Sequence, residues 1–103
     1  MPIAVLILAL AAFTAGTAHA QEEKILLHRY DCYICHADSE TKTGPAFVDV
    51  AARFRRDPKA VATLSAMVRK GAHGSGPWPM PPMPQVPDAD TRKIADYILT
   101  LKP

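Results

Sequence analysis

Cysteine is scarce in this sequence: only Cys32 and Cys35 occur among its 103 residues, so at most one disulfide can form. Charge of one sign is not in excess either, because 12 Lys and Arg stand against 10 Asp and Glu, a net charge of +2. A nucleic-acid-binding surface needs a pronounced basic patch, so we expect no nucleic-acid partner. Internal repeats and any sign of a second domain are also absent.

The first 20 residues contain no Lys, Arg, Asp or Glu. They have an apolar run from Ile3 to Ala12 and end in Ala18-His19-Ala20, the small-x-small pattern of a signal-peptide cleavage site. A retained membrane anchor is the alternative, since no positive residue precedes the run, but the run is shorter than the ~20 residues that span a bilayer. We interpret residues 1–20 as a signal peptide and residues 21–103 as one domain exported to the periplasm.

Four segments are predicted to be helices and none alternates as a strand would, so the expected fold class is all-α. The first segment runs from Glu22 to Tyr30. The third is expected to begin at Asp57-Pro58, an N-cap and a first-turn proline, and to end at Gly71. Leu27 and Tyr97 are the expected contact where the first and last helices cross. Apolar residues at helical spacing mark one face of each later segment: Phe47, Val50, Ala51 and Phe54; Val61, Leu64 and Val68; Ile94, Tyr97, Ile98 and Leu101.

The only two cysteines belong to Cys32-Tyr33-Ile34-Cys35-His36, a C-x-x-C-H motif of the kind that attaches haem. Two intervening residues place both thiols on one helical turn, at a separation that matches the two vinyl groups of haem. His36 then lies below the iron as its first axial ligand. We therefore predict one covalently bound haem c with its iron. It would supply apolar volume to a domain near the lower size limit for a self-sufficient core.

Two alternatives would use the same residues differently. A redox-active dithiol of the thioredoxin type stands beside a βαβ pattern, which this sequence lacks. A closed zinc site needs four ligands, and only His28 and His73 remain as further histidines of the exported domain, without a usable spacing.

A second axial ligand is expected from the proline-rich segment that precedes the last helix, residues 77–84 (PWPMPPMP). The prolines exclude a helix, and the Trp and Met side chains favour an ordered loop on an apolar surface over disorder. Methionine is a common second ligand that raises the reduction potential. Met67 lies inside a predicted helix and is interpreted as core, which leaves Met80 and Met83 as candidates.

These motifs resemble those of the small bacterial class I cytochromes c of the c-551 type. The resemblance extends from Ile25 to Lys102 and is carried by three stretches: Cys32 to His36, Gly44-Pro45-Ala46 with residues 48–54, and Pro79-Met80-Pro81-Pro82. It implies a class I cytochrome c fold of about four short helices around one haem. It also implies that Met80 rather than Met83 binds the iron, and that the carbonyl of Pro45 accepts the N–H of the ligating imidazole, which fixes the ring.

The function that this resemblance implies is that of a monomeric electron carrier, not an enzyme, that serves periplasmic redox proteins such as a reductase, an oxidase or a dehydrogenase. A haem enzyme or gas sensor would need an open iron position, which a bound Met80 closes. A subunit anchored to a membrane oxidase would need an uncleaved N-terminus. The exposed haem edge is expected between apolar residues, with basic residues around it: Ile34, Pro81, Pro82 and Val86, and then Lys42, Arg69 and Lys70.

Overall fold

The computed structural model describes residues 15–74 and 78–103, and within these ranges the regular structure is helical. Five helices follow one another along the chain: α1 (Ala15–Arg29), α2 (Cys32–Cys35), α3 (Phe47–Phe54), α4 (Ala60–Lys70) and α5 (Asp88–Thr100). In the same ranges the only β-type pairing is an isolated antiparallel bridge between Ala72 and Met80. The all-α prediction is confirmed, and α2 adds one short helix to the four expected.

The N-terminal part of the described chain is α1, which begins within the expected signal peptide. Residues 1–14 of that segment lie outside the described residues, and the expected cleavage point after Ala20 falls inside α1. Among the described residues, no helix is both long and apolar enough to cross a membrane. Leu26 and Leu27, in the second half of α1, are the residues through which this helix enters the core.

The core forms around α5, which packs against α1, α3 and α4. Ile94, Tyr97 and Ile98 are buried on α5, as their spacing predicted. Leu27, expected with Tyr97 at the crossing of the first and last helices, is fully buried in the same apolar cluster. Removal of this apolar surface from water is the main force that holds the helices together.

The start of α4 lies two residues later than predicted. Asp57 and Pro58 form a turn ahead of the helix, and α4 begins at Ala60. The Asp57 carboxylate accepts a hydrogen bond from the backbone N–H of Lys59 at 2.8 Å, so it caps this turn rather than the helix. The inner face of α4 also differs from the predicted stripe, because Ala60 is buried and Val61 is only partly buried.

A buried pair of hydroxyl groups joins α4 to α5. Ser65 and Thr91 are hydrogen-bonded to each other, and Thr91 also donates to the carbonyl oxygen of Asp88 at 2.7 Å. Both side chains are almost fully buried. Because each hydroxyl is paired, this polar contact adds no unsatisfied group to the core.

Residues 78–87, which we call the proline strap, cross from the loop after α4 to the start of α5. The backbone N–H of Met80 donates to the carbonyl of Ala72 at 2.8 Å, and the N–H of Ala72 donates back at 3.1 Å. The N–H of Met83 donates to the carbonyl of Val68 at 2.9 Å and so satisfies a carbonyl of the last turn of α4. The strap is thus an ordered, extended segment, as predicted, with one fixed point on the loop after α4 and one on α4 itself.

The side chains of the strap divide between the core and the surface. Met80 and Met83 pack against the apolar cluster, whereas Trp78 is 70% exposed. Val86, expected at the surface, is 0% exposed. Its N–H donates to the carbonyl of Met83 at 3.2 Å, and this turn directs Val86 into the core.

Candidate functional site

The two cysteines lie on a single helical turn, α2, and the residue before this turn has a left-handed backbone conformation. Asp31 has φ 60°, a conformation that Asp tolerates better than most residues. Its carbonyl accepts the N–H of Ile34 at 3.1 Å, and the carbonyl of Cys32 accepts the N–H of His36 at 3.0 Å. The turn therefore holds Cys32 and Cys35 close together and leaves the intervening Ile34 68% exposed.

The environment of Cys32 is unsuited to dithiol redox chemistry. Burial raises the pKa of the Cys32 thiol to about 11, so the thiol is protonated at neutral pH. Reactive cysteines of C-x-x-C oxidoreductases instead have a lowered pKa, because the thiolate is the nucleophile. The structure thus disfavours the dithiol alternative.

His36 ends α2 in an extended conformation, and its ring is oriented by one hydrogen bond. The imidazole Nδ1 lies 2.7 Å from the carbonyl oxygen of Pro45. A carbonyl oxygen can only accept, so Nδ1 carries the proton and donates. In a neutral imidazole the other nitrogen, Nε2, then has the lone pair that a metal ligand needs. The contact expected from the resemblance is therefore present, in the tautomer that iron requires.

The ring of His36 is also confined by close packing. Phe47, the first residue of α3, stacks on it with 4.6 Å between ring centroids and 18° between planes. A Cβ atom at Gly44 would lie 2.5 Å from Cε1 and 2.8 Å from Nδ1 of the imidazole, so only glycine fits there. The N–H of Gly44 donates to the carbonyl of Cys35 at 2.6 Å, which closes the loop around the ring.

Neither of these two roles could be read from the sequence. Phe47 stood out only as one residue of an apolar stripe, and a stripe does not show which side chain faces a ligand. Gly44 belongs to one of the stretches that carry the family resemblance, but nothing in the sequence shows why this position needs glycine. The signal for both is the three-dimensional approach of the loop to the imidazole.

Glycine is required at a second point, where α4 ends against the proline strap. Gly71 has φ 81°, and a Cβ atom there would lie 2.8 Å from the carbonyl oxygen of Met80. Gly71, predicted as the C-cap of this helix, therefore also allows the strap to lie close to the end of α4. Prolines on both sides of Met80 restrict its backbone further.

The methionine candidates and the attachment turn meet at one apolar cluster. Cys32, Met80 and Met83 are partly buried and pack against the same apolar cluster, which includes Phe47, the residue that stacks on His36. Both methionines therefore stay candidates on position alone. Met67 is only partly buried and lines a shallow surface depression on α4 together with Lys59 and Lys70.

These residues fit a covalently attached haem. Two thiols on one turn, an imidazole with Nε2 available and a thioether on an anchored strap are the donor set of a c-type centre. The cluster against which Cys32 and Met80 pack is apolar, as a haem face requires. No group of three or more His, Cys, Asp or Glu side chains able to hold another kind of metal ion occurs in the described part of the chain.

Comparison with known proteins agrees with this donor set. The family model described as cytochrome c matches residues 12–102. Cytochrome c-551 of Allochromatium vinosum is 40% identical over 93 residues, which cover 87% of this chain and 99% of the relative. Cytochrome c-551 of Pseudomonas aeruginosa is 36% identical over 97 residues, 93% of this chain and 92% of the relative.

A solved structure shows the same fold. The crystal structure of wild-type Nitrosomonas europaea cytochrome c552 superposes with a TM-score of 0.73 at 36% identity and covers 77% of this chain and 99% of that chain. The chain described here belongs to the cytochrome c family. It is a monohaem c-type cytochrome of the c-551/c-552 type, and such proteins are electron carriers, not enzymes. Haem c, bound covalently through two cysteines, is the cofactor of this family.

The packing at His36 predicts that one glycine-to-alanine change destabilises the protein and that another has almost no effect. Gly44→Ala forces the imidazole or the loop to move, because the new Cβ overlaps the ring. We expect a loss of about 1–3 kcal/mol of unfolding free energy in the holoprotein and an altered visible spectrum. Gly74→Ala is the matched control, since a Cβ atom there meets nothing within 4 Å, and surface changes of this kind stay within about 0.5 kcal/mol.

Denaturant unfolding and absorption spectra of the two ferric holoproteins measure this difference. Equal stability and identical spectra for Gly44→Ala and the unchanged protein would contradict the packing described for His36.

Proposed function

We propose that the protein is a periplasmic electron carrier whose haem is attached to Cys32 and Cys35 and whose iron is bound by His36 and Met80. The observation that carries the proposal is the 2.7 Å hydrogen bond from His36 Nδ1 to Pro45, directly beside the two-thiol turn. It selects the tautomer and the ring orientation that leave Nε2 for iron.

In this proposal the protein's residues hold the ligands still while the electron passes. Bound haem supplies the reversible ferric/ferrous couple. The Pro45 carbonyl accepts a hydrogen bond from the imidazole N–H and so increases the basicity of His36 as a ligand. The strap carries Met80 on a backbone fastened to Ala72 by two hydrogen bonds, which limits its movement between the two oxidation states.

The anchored strap also argues against a role that needs an open iron position, such as a peroxidase or gas sensor. Opening that position would require Met80 to leave while its backbone is held at Ala72 and the next methionine is held at Val68. A methionine closes the sixth position in carriers and keeps small ligands out.

The sequence pattern and the family support the proposed placement and the proposed kind of partner. Residues 1–20 serve as a signal peptide, and residues 21–103 form the cytochrome c domain, which acts as a monomer in the periplasm. Its partners are redox proteins that donate or accept single electrons. Net charge is small, so long-range attraction contributes little to their encounter.

The surface used for exchange is proposed around Ile34, the exposed residue between the two cysteines. Pro81 and Pro82 of the strap are exposed as well and offer a second apolar element. Lys42 lies beside the attachment turn, because its Nζ donates to the carbonyl of Tyr33 at 2.9 Å. Val86 is removed from this surface, since it is buried.

The choice of Met80 over Met83 predicts a clear difference between two alanine variants. Met80→Ala removes the sixth ligand, so the ferric methionine-to-iron charge-transfer band should disappear and the ferrous protein should bind carbon monoxide. Met83→Ala is the matched control, three residues further along the strap and packed on the same cluster. It should retain the band and exclude carbon monoxide.

Absorption spectra of both oxidation states, with and without carbon monoxide, decide between the two. Loss of the band in the Met83 variant with retention in the Met80 variant would reverse the assignment. Retention in both would mean that neither thioether is the required ligand.

The exposed position of Ile34 predicts its effect on electron self-exchange between ferric and ferrous molecules. Ile34→Asp places a charge in the middle of an apolar contact, and a central contact residue contributes more than ~1 kcal/mol. We expect self-exchange to slow about fivefold or more. Ile25→Asp is the control, because Ile25 is a 55% exposed isoleucine on α1 and the added charge is the same.

Nuclear magnetic resonance line broadening in mixtures of the two oxidation states measures these rates. If both variants slow self-exchange to the same extent, the effect comes from the change in net charge and not from its position, and Ile34 does not lie in the contact.

A further inference from the structure

A cluster of polar side chains around Asp38 lies beside the site and is not explained by haem attachment. Tyr33 donates its hydroxyl proton to Oδ1 of Asp38 at 2.8 Å, and Tyr97 donates to Oδ2 at 2.8 Å. The Nζ of Lys24 lies 3.6 Å from Oδ2. The cluster therefore brings together α1, the attachment turn α2, the loop after His36 and α5.

Two phenol hydrogen bonds hold the carboxylate more firmly than the lysine does. The Lys24 side chain is half exposed, and ion pairs of that kind contribute little. Burial, and after it the hydrogen bond to Asp38, raises the pKa of Tyr97 and of Tyr33, so both phenols stay protonated donors through the neutral range. With one donor on each oxygen, the Asp38 carboxylate is fixed in its plane.

The cluster is connected to the imidazole of His36 through two aromatic contacts. The ring of Tyr33 meets that of Phe47 edge-on, with 5.9 Å between centroids. Phe47 stacks on His36 at 4.6 Å. The N–H of Phe47 also donates to the carbonyl of Ala37 at 2.9 Å, so its backbone is held by the same loop.

We propose that Asp38 is a positioning residue: by fixing the hydroxyl groups of Tyr33 and Tyr97, it holds Phe47 against the imidazole and so sets the ring plane of His36. The inference rests on the proposed role of His36 as iron ligand. Residues that do not touch a metal but orient its ligand tune the centre through that orientation. The cluster also makes the ring plane depend on the position of α5, because Tyr97 comes from that helix.

A second tyrosine–aspartate hydrogen bond in the chain serves as a matched control, because it is not connected to His36 by the contacts described above. The hydroxyl of Tyr30 donates to the carboxylate of Asp90 at 2.6 Å and joins the end of α1 to the start of α5. Neither residue contacts Phe47 or His36 through a ring pair or hydrogen bond among those of the described chain. Tyr30→Phe therefore removes one tyrosine–aspartate bond between helices without touching the proposed path.

The test compares Tyr33→Phe and Asp38→Asn with Tyr30→Phe in the mature holoprotein. Three quantities are measured: the ferric electron paramagnetic resonance g values, the hyperfine-shifted haem methyl signals and the thermal midpoint. Tyr33→Phe is the decisive variant, because it removes a hydrogen bond and changes no charge. We expect shifts of the g values and of the methyl pattern in Tyr33→Phe and Asp38→Asn. We expect a lower thermal midpoint with unchanged spectra in Tyr30→Phe.

Two results would overturn the inference. In the first, Tyr33→Phe and Asp38→Asn lower the thermal midpoint but keep the spectra of the unchanged protein, which makes the cluster structural only. In the second, Tyr30→Phe shifts the spectra as much as Tyr33→Phe does, which makes the effect a general loosening. If Asp38→Asn does not fold, Tyr33→Phe alone decides. A failure of the proposed function would be seen separately, as absence of the haem or of histidine ligation in the unchanged protein.

Discussion

The hydrogen bond between His36 Nδ1 and the carbonyl of Pro45 is the contact on which the arrangement of the site depends. Beside this contact the first N–H groups of α3 have partners in the loop after His36: Phe47 and Val48 donate to the carbonyls of Ala37 and Asp38 at 2.9 Å. These bonds fasten the loop after His36 to the start of α3, where a helix has N–H groups without internal partners. The same fastening carries the ring of Phe47 onto the imidazole, so one local structure fixes both the tautomer and the plane of the ring.

Around this centre the fold also supplies an apolar core and positions a methionine thioether, each with few residues. The crossing of α1 and α5 supplies the core, with Leu27 and Ile94 almost fully buried, while the strap brings a thioether to the same apolar cluster. Gly71 permits both the end of α4 and the approach of the strap, because any side chain there would overlap the backbone of Met80. A domain this small has little apolar surface to spare, so an attached haem becomes part of its core as well as its redox group.

The parts that the sequence predicted are those with a local signal. The apolar stripes of α3 and α5 repeat at helical spacing, and the C-x-x-C-H motif has its chemistry in adjacent residues. The start of α4 was misplaced because Asp57 has the capping chemistry of a helix start but uses it on the preceding turn. Val86 is buried although the sequence predicts it at the surface, since an extended strap rich in proline has no periodicity from which burial can be inferred. The Asp38 cluster joins residues 33, 38 and 97, and no spacing along the chain connects them.

The central claim, that one haem is covalently attached to this chain at its two cysteines, is tested most directly by the mass of the protein purified from a periplasm with a cytochrome c maturation system. The account predicts the mass of residues 21–103 plus one haem, retained after denaturation in acid and lost when both Cys32 and Cys35 are replaced by alanine. If the mass is that of residues 1–103 plus one haem, the haem is attached as predicted and only the predicted cleavage after residue 20 is wrong. The mass of the polypeptide alone, with haem released on denaturation, would contradict the account.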